Sequence, residues 1–204
     1  MMIALTLALA GAAALNKTEP PVKVTLNSDN TYVRGDNAQV HVEAAREGYL
    51  LVLRADEAGT VRVLYPVDPS ANGTIQGGKK VEIRGRGDRD AFTVDDAAGS
   101  GVVLAAWSPT PFDFTVFQQD GHWDAAQLNL TPLGSDREAG LVDLVQKMSD
   151  QHHFDYDFVT YTVRSAWAYF RTPYVGPYWN RWPVGVGYPF VRFGWGWRGW
   201  GWPR

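Results

Sequence analysis

The sequence predicts a mainly β fold, an antiparallel β-sandwich carrying one amphipathic helix and an irregular aromatic tail. Three observations lead there. Short stretches between residues 22 and 108 alternate apolar and polar residues with a period of two. Gly, Asn and Pro separate these stretches at regular intervals, which is the punctuation of turns. The first run with helical period comes only after residue 135. Seven or so short strands at this spacing indicate a sandwich or barrel.

Val22, Val24 and Leu26 alternate with polar residues, and so do the residues from Ala38 to Ala44. Tyr49–Leu50–Leu51–Val52–Leu53 is apolar on both faces, as a central strand would be. Asp56-Glu57-Ala58-Gly59 turns the chain into Val61–Tyr65, with Gly59 where a hairpin calls for positive φ. Pro66 ends that strand, because it offers no N–H to a ladder. Asn72-Gly73 and Gly77-Gly78 are further turns. Val81 with Ile83, Phe92 with Val94, and the apolar run Val102–Trp107 complete the strands of this region.

The motifs Tyr32-x-x-Gly35-Asp36, Gly48-Tyr49-Leu50-x-Val52 and Gly59-x-Val61-x-Val63-Leu64-Tyr65-Pro66 resemble the DUF4384 family. Gly77 before Val81-x-Ile83, Phe92-x-Val94, and Gly101 leading into Val102-x-x-Ala105 follow in the family's order. The resemblance covers about residues 27–108. Where the family often carries Pro after the Val81–Ile83 strand, this chain has Arg84 and then Gly85-Arg86-Gly87. The resemblance implies an all-β, sandwich-like domain of bacterial envelope and signalling proteins, and it implies no chemistry.

Beyond residue 108 the pattern mixes. Phe112–Phe117 reads as a strand. Ser135-Asp136-Arg137-Glu138 fits an S-x-x-E capping box, and Leu141, Leu144, Val145 and Met148 fall at i, i+3, i+4 and i+7. A helix over about residues 136–150 follows, its apolar face laid on the sheet. Phe158–Val163, rich in β-branched and aromatic residues, reads as a last strand. Residues 22–164 are thus expected to form one sandwich with a helical extension, too short in its last part to bury a separate core.

The two ends differ from this body. Met1 to Leu15 is uncharged and apolar and ends in Ala12-Ala13-Ala14, the shape of a secretory signal peptide, without a Lys or Arg before the run. The expected location is periplasmic or secreted; a short buried N-terminal helix is the alternative. The C-terminal segment, residues 165–204, holds seven of the nine Trp, interleaved with Gly, Arg and Pro that defeat helix and sheet alike. Charge divides in the same way: residues 1–163 hold 13 basic and 22 acidic residues, and residues 164–204 hold six Arg and no acid, so −9 faces +6.

Among candidate chemistries, His152, His153, Asp155 and Asp157 offer imidazole and carboxylate donors for a divalent metal, and with it a metal-dependent hydrolase as the alternative function. No HExxH spacing or second cluster completes a shell, and the bland reading is a solvated helix end. No nucleophile elbow or P-loop is present, no cofactor motif is visible, and Asp95-Asp96 reads as a pair of solvated turn charges. The absence of cysteine excludes disulfides, thiolate catalysis and Cys-ligated zinc. The functional expectation is therefore a non-enzymatic binding or structural protein of the envelope. Its contacts would be made by Trp179, Arg181, Trp182, Arg192, Trp195, Trp197, Arg198, Trp200 and Trp202. Three partners suit these residues: a membrane interface or envelope surface, a glycan, or protein, including this chain itself. Export argues against nucleic acid.

Overall fold

The computed structural model describes residues 21–130 and 133–165. The expected signal segment and, beyond Ser165, the aromatic tail lie outside these residues. In chain order the strands are β1 (Val22–Leu26), β2 (Thr31–Val33), β3 (Asn37–Ala38), β4 (Val40–Ala44), β5 (Gly48–Ala55) and β6 (Val61–Tyr65). They continue with β7 (Thr74–Ile75), β8 (Lys79–Ile83), β9 (Phe92–Thr93), β10 (Gly99–Ser108), β11 (Gln118–Gln119), β12 (His122–Trp123) and β13 (Asp155–Arg164). Two helices, α1 (Ala125–Leu128) and α2 (Arg137–Met148), stand between β12 and β13.

The main sheet runs β2-β13-β10-β5-β6, with β7 beside the start of β5; β13 pairs antiparallel with β10 and parallel with β2. A second sheet, β1-β4-β8, covers one of its faces. Helix α2 covers the other. The arrangement follows from β5 and β10, which are apolar at successive positions. Leu50 and Val52 of β5, with Val103, Ala105 and Trp107 of β10, meet Val22, Val24, Val40 and Val42 of the second sheet. Leu51, Leu53 and Ala55, with Val102, Leu104 and Ala106, meet Leu141, Leu144, Val145 and Met148 of α2. A strand with a side-chain period of two and no polar face has to be covered on both sides. The four residues placed on one helical face by their spacing are the four that α2 buries.

Edge strands are closed by side chains. Val61 N–H of β6 donates to Asn129 Oδ1 at 2.6 Å, and Asn129 Nδ2 donates back to the Val61 carbonyl at 3.2 Å. The amide thus stands in for a neighbouring strand. On β1, Val24 N–H donates to the Asp157 carboxylate of β13 at 2.8 Å, tying the two sheets together. Gly59 has φ +81° in the β5–β6 turn, as the hairpin requires.

Three local expectations are corrected. Phe112–Phe117 is not a strand. Asp113 accepts from Thr115 N–H at 2.8 Å and starts a single 3₁₀ turn over Thr115–Phe117, which buries Phe112 and Phe117 and leaves Val116 67% exposed. The N-cap of α2 is Asp136, whose carboxylate accepts from Ala139 N–H at 3.1 Å, so Ser135 does not form the capping box. The helix ends at Met148 with Ser149 as its C-cap, and left-handed Asp150 and Gln151 then turn the chain away. Asp96, expected in solvent, is buried.

Replacing Leu51, fully buried beneath α2, by Ala is expected to lower unfolding stability by about 2–5 kcal/mol in a denaturant titration. Replacing exposed Lys23 of β1 by Ala should change it by less than about 0.5 kcal/mol.

Candidate functional site

Arg54 ends the apolar run of β5 and shares the inter-sheet face with Leu50 and Val52. Only 1% of it is exposed. Burying a guanidinium costs several kcal/mol unless charge and hydrogen bonds replace the lost water. Here they do. Nη2 is ion-paired with Asp96, Nε donates to Tyr161 Oη at 2.8 Å, and Tyr161 O–H donates to Asp96 Oδ2 at 2.7 Å. The guanidinium also lies over the Phe92 ring, 4.1 Å from its centroid, an arrangement that suits its weakly hydrated plane. Burial works against the charge, but Tyr161 and Asp96 outweigh it and hold Arg54 above its ordinary pKa. Burial raises the Tyr161 phenol above its ordinary value, opposed by Arg54 and helped by Asp96.

Tyr161 reaches this position because its cross-strand partner on β10 is Gly101. A β-carbon at Gly101 would collide with the Tyr161 ring. Tyr32 then packs edge-on to Tyr161, 6.1 Å between centroids, and donates to the Asn27 carbonyl at 2.9 Å.

Above this network the structure opens into a cleft of about 550 Å³. Its floor includes Arg54 and Phe92, and its walls include Arg62, Arg86, His122 and Trp123. Arg62 is the cross-strand partner of Arg54. Two like charges facing each other on a ladder repel, and Asp95 resolves the conflict, lying 3.2 Å from Arg62 and 3.5 Å from Arg54. Partial burial pushes the Asp95 pKa up, while Arg62, a backbone hydrogen bond and Arg54 together bring it below the ordinary value. On the far wall Arg86 is ion-paired with Asp68, and its Nη2 lies 3.3 Å from His122 Nδ1. Trp123 Nε1 donates to the Pro66 carbonyl at 3.1 Å, and its ring meets Phe114 edge-on at 4.8 Å, which fixes the indole. The cleft can therefore offer one fixed and two more exposed cationic hydrogen-bond donors, a carboxylate acceptor and aromatic surface. A separate apolar groove of about 360 Å³ lies along α2, lined by Phe117, Leu128 and Leu144, with Val116 and Leu130 exposed at its rim.

The proposed metal ligands are not gathered. His153 Nε2 is 3.6 Å from Asp155 Oδ1, but Asp157 is engaged by Val24 N–H and His152 is exposed. Among the described residues no group of three His, Asp or Glu side chains is placed to hold an ion. Trp179, Arg181, Trp182, Arg192, Trp195, Trp197, Arg198, Trp200 and Trp202 lie outside the described residues. The cleft residues escaped the sequence reading because Arg62, Arg86 and Asp95 stand apart in the sequence and each reads locally as a solvated charge. The signal that could have found Arg54 was its position, a cation continuing a run apolar on both faces.

Residues 31–111 match the DUF4384 family, a domain of unknown function. No curated protein and no solved structure matches the chain.

Asp96→Asn is expected to cost about 3–5 kcal/mol, because it removes the buried counter-charge of Arg54 and leaves only the half-exposed Asp95. An Arg54→Met, Asp96→Asn double variant should recover part of that loss in chemical denaturation. The Tyr161 shift predicts an alkaline effect. With its folded pKa raised above 10, its contribution is complete below pH 10 and is lost as pH rises through the folded value, because the unfolded chain gives up the proton first. Stability measured above pH 10 should therefore fall less steeply in Tyr161→Phe.

Proposed function

We propose that this is an exported, non-enzymatic binding protein of the cell envelope, located in the periplasm or outside the cell, whose principal contacts are made by residues 165–204. The observation that carries this reading is the composition of that segment: seven Trp among six Arg, counted from residue 164, with no acid, joined to a body that holds all 22 carboxylates. The apolar run Met1–Leu15 supports export. The family match brings no catalytic chemistry to set against this reading.

The physical basis is the interface of an anionic membrane. Arg near an anionic leaflet gains about 1 kcal/mol of attraction each, and Trp settles at headgroup depth with its ring in the acyl boundary and its N–H in water. Seven Trp do not suit a solvated linker, since their exposed indoles would form a large apolar patch.

The test is co-sedimentation with phosphatidylglycerol vesicles. The full chain is expected to sediment with them, and to be released as salt rises and the Debye length falls below about 8 Å. A chain ending at Ser165 should stay in the supernatant while keeping a cooperative thermal transition. Equal sedimentation of both forms would overturn the reading. So would a full chain that ignores vesicles and a truncated chain with a lower melting temperature and new dye-accessible apolar surface, which would assign the tail to internal packing.

A further inference from the structure

We infer that the cleft above Arg54 is a binding site for a carboxylated sugar ring of the uronic-acid class. Four observations converge on that chemistry.

The first is the charge of the lining. Arg54, Arg62 and Arg86 border the cleft against a single bordering carboxylate, Asp95. Arg62 and Arg86 are more than half exposed and each gives Nη2 to its carboxylate. Nothing among the described residues engages the remaining nitrogens of Arg62, and these point toward recognition of an oxyanion.

The second is rigidity. Arg54 is fixed through Nε and Nη2 by Tyr161, Asp96 and Asp95, and no described residue accepts from its Nη1. The floor of the cleft is thus a cation that loses no side-chain freedom when a ligand arrives.

The third is the aromatic wall. Trp123 is pinned by the Pro66 carbonyl and by Phe114, so its orientation is set before binding. Aromatic surface of this kind takes the C–H face of a ring.

The fourth is the acceptor. Asp95 is half exposed beside the cations and can accept from hydroxyl groups. Asp95 disfavours a compact dianion such as hydrogen phosphate, whose single hydroxyl leaves its second charge facing that carboxylate. A monoanion rich in hydroxyls satisfies both signs of charge. The volume, about 550 Å³, falls among ordinary small-ligand sites. This site lies on the folded body and stands independently of the reading given to residues 165–204.

The experiment is isothermal titration of the full chain with sodium D-glucuronate, with D-glucose and inorganic phosphate titrated in parallel. Saturable glucuronate binding is expected, with glucose and phosphate each weaker by about tenfold or more. Arg62→Gln and Arg86→Gln should each weaken glucuronate by about tenfold and keep the parent melting transition. Either variant suffices if the other fails to fold. Both should retain vesicle sedimentation, which separates a failure here from a failure of the tail reading. Absence of saturable glucuronate binding overturns the assignment. Equal binding of glucose, tighter binding of phosphate, or glucuronate binding that survives both substitutions does so too.

Discussion

A guanidinium sealed between two sheets has to be neutralised where it stands, and much of this structure is organised by that requirement. Arg54 draws on Asp96 from the β9–β10 connection, Tyr161 from β13 and Phe92 from β9. Gly101 on β10 makes room for Tyr161. The arrangement also fixes register. A slip of β13 by one residue would carry Tyr161 to the opposite face of the sheet and leave Arg54 and Asp96 short of a shared hydroxyl. Apolar packing between the sheets supplies most of the burial, but it tolerates exchange among Val, Leu and Ile; the charged network does not.

The same network shapes the surface above it. Asp95 and Asp96 are neighbours in sequence with different duties. Asp96 neutralises Arg54 within the core, while Asp95 stands half exposed between Arg54 and Arg62. The cleft therefore inherits its geometry from the interior. The cation at its floor, Arg54, is held by groups that are themselves held, which is the condition for a binding site of defined shape.

Most of the strand pattern could be read in the sequence, because alternation reports directly on which face is covered. The apolar runs at Leu50–Leu53 and Val102–Ala106 announced a sheet buried on both faces, and Leu141, Leu144, Val145 and Met148 announced the helix that covers one of them. Phe112, Phe114 and Val116 also alternate, yet they form no strand. Asp113 competes for the backbone through its side chain, and the burial of Phe112 and Phe117 follows a turn instead. The cleft was less legible for a related reason. Charged residues are normally solvated, so nothing local distinguishes Asp96 in the core from Asp88 in solvent. Their roles depend on partners up to 107 positions away, as Arg54 and Tyr161 are, and one-dimensional pattern carries no information at that range.

The family match ends at residue 111, but the sheet does not. β10, the strand at its centre, pairs on one side with β5 and on the other with β13, whose last residue is Arg164. During synthesis β10 emerges with half its backbone groups unmatched. At ribosomal speed the missing strand follows on the order of several seconds later. Over that interval a ten-residue strand with the apolar run Val102–Trp107 at its heart is available for intermolecular pairing. Contacts this remote in sequence also make for slow folding. Time is thus a property of this topology: the sheet closes late, and whatever shelters the nascent β10 governs how much of the chain reaches its native form.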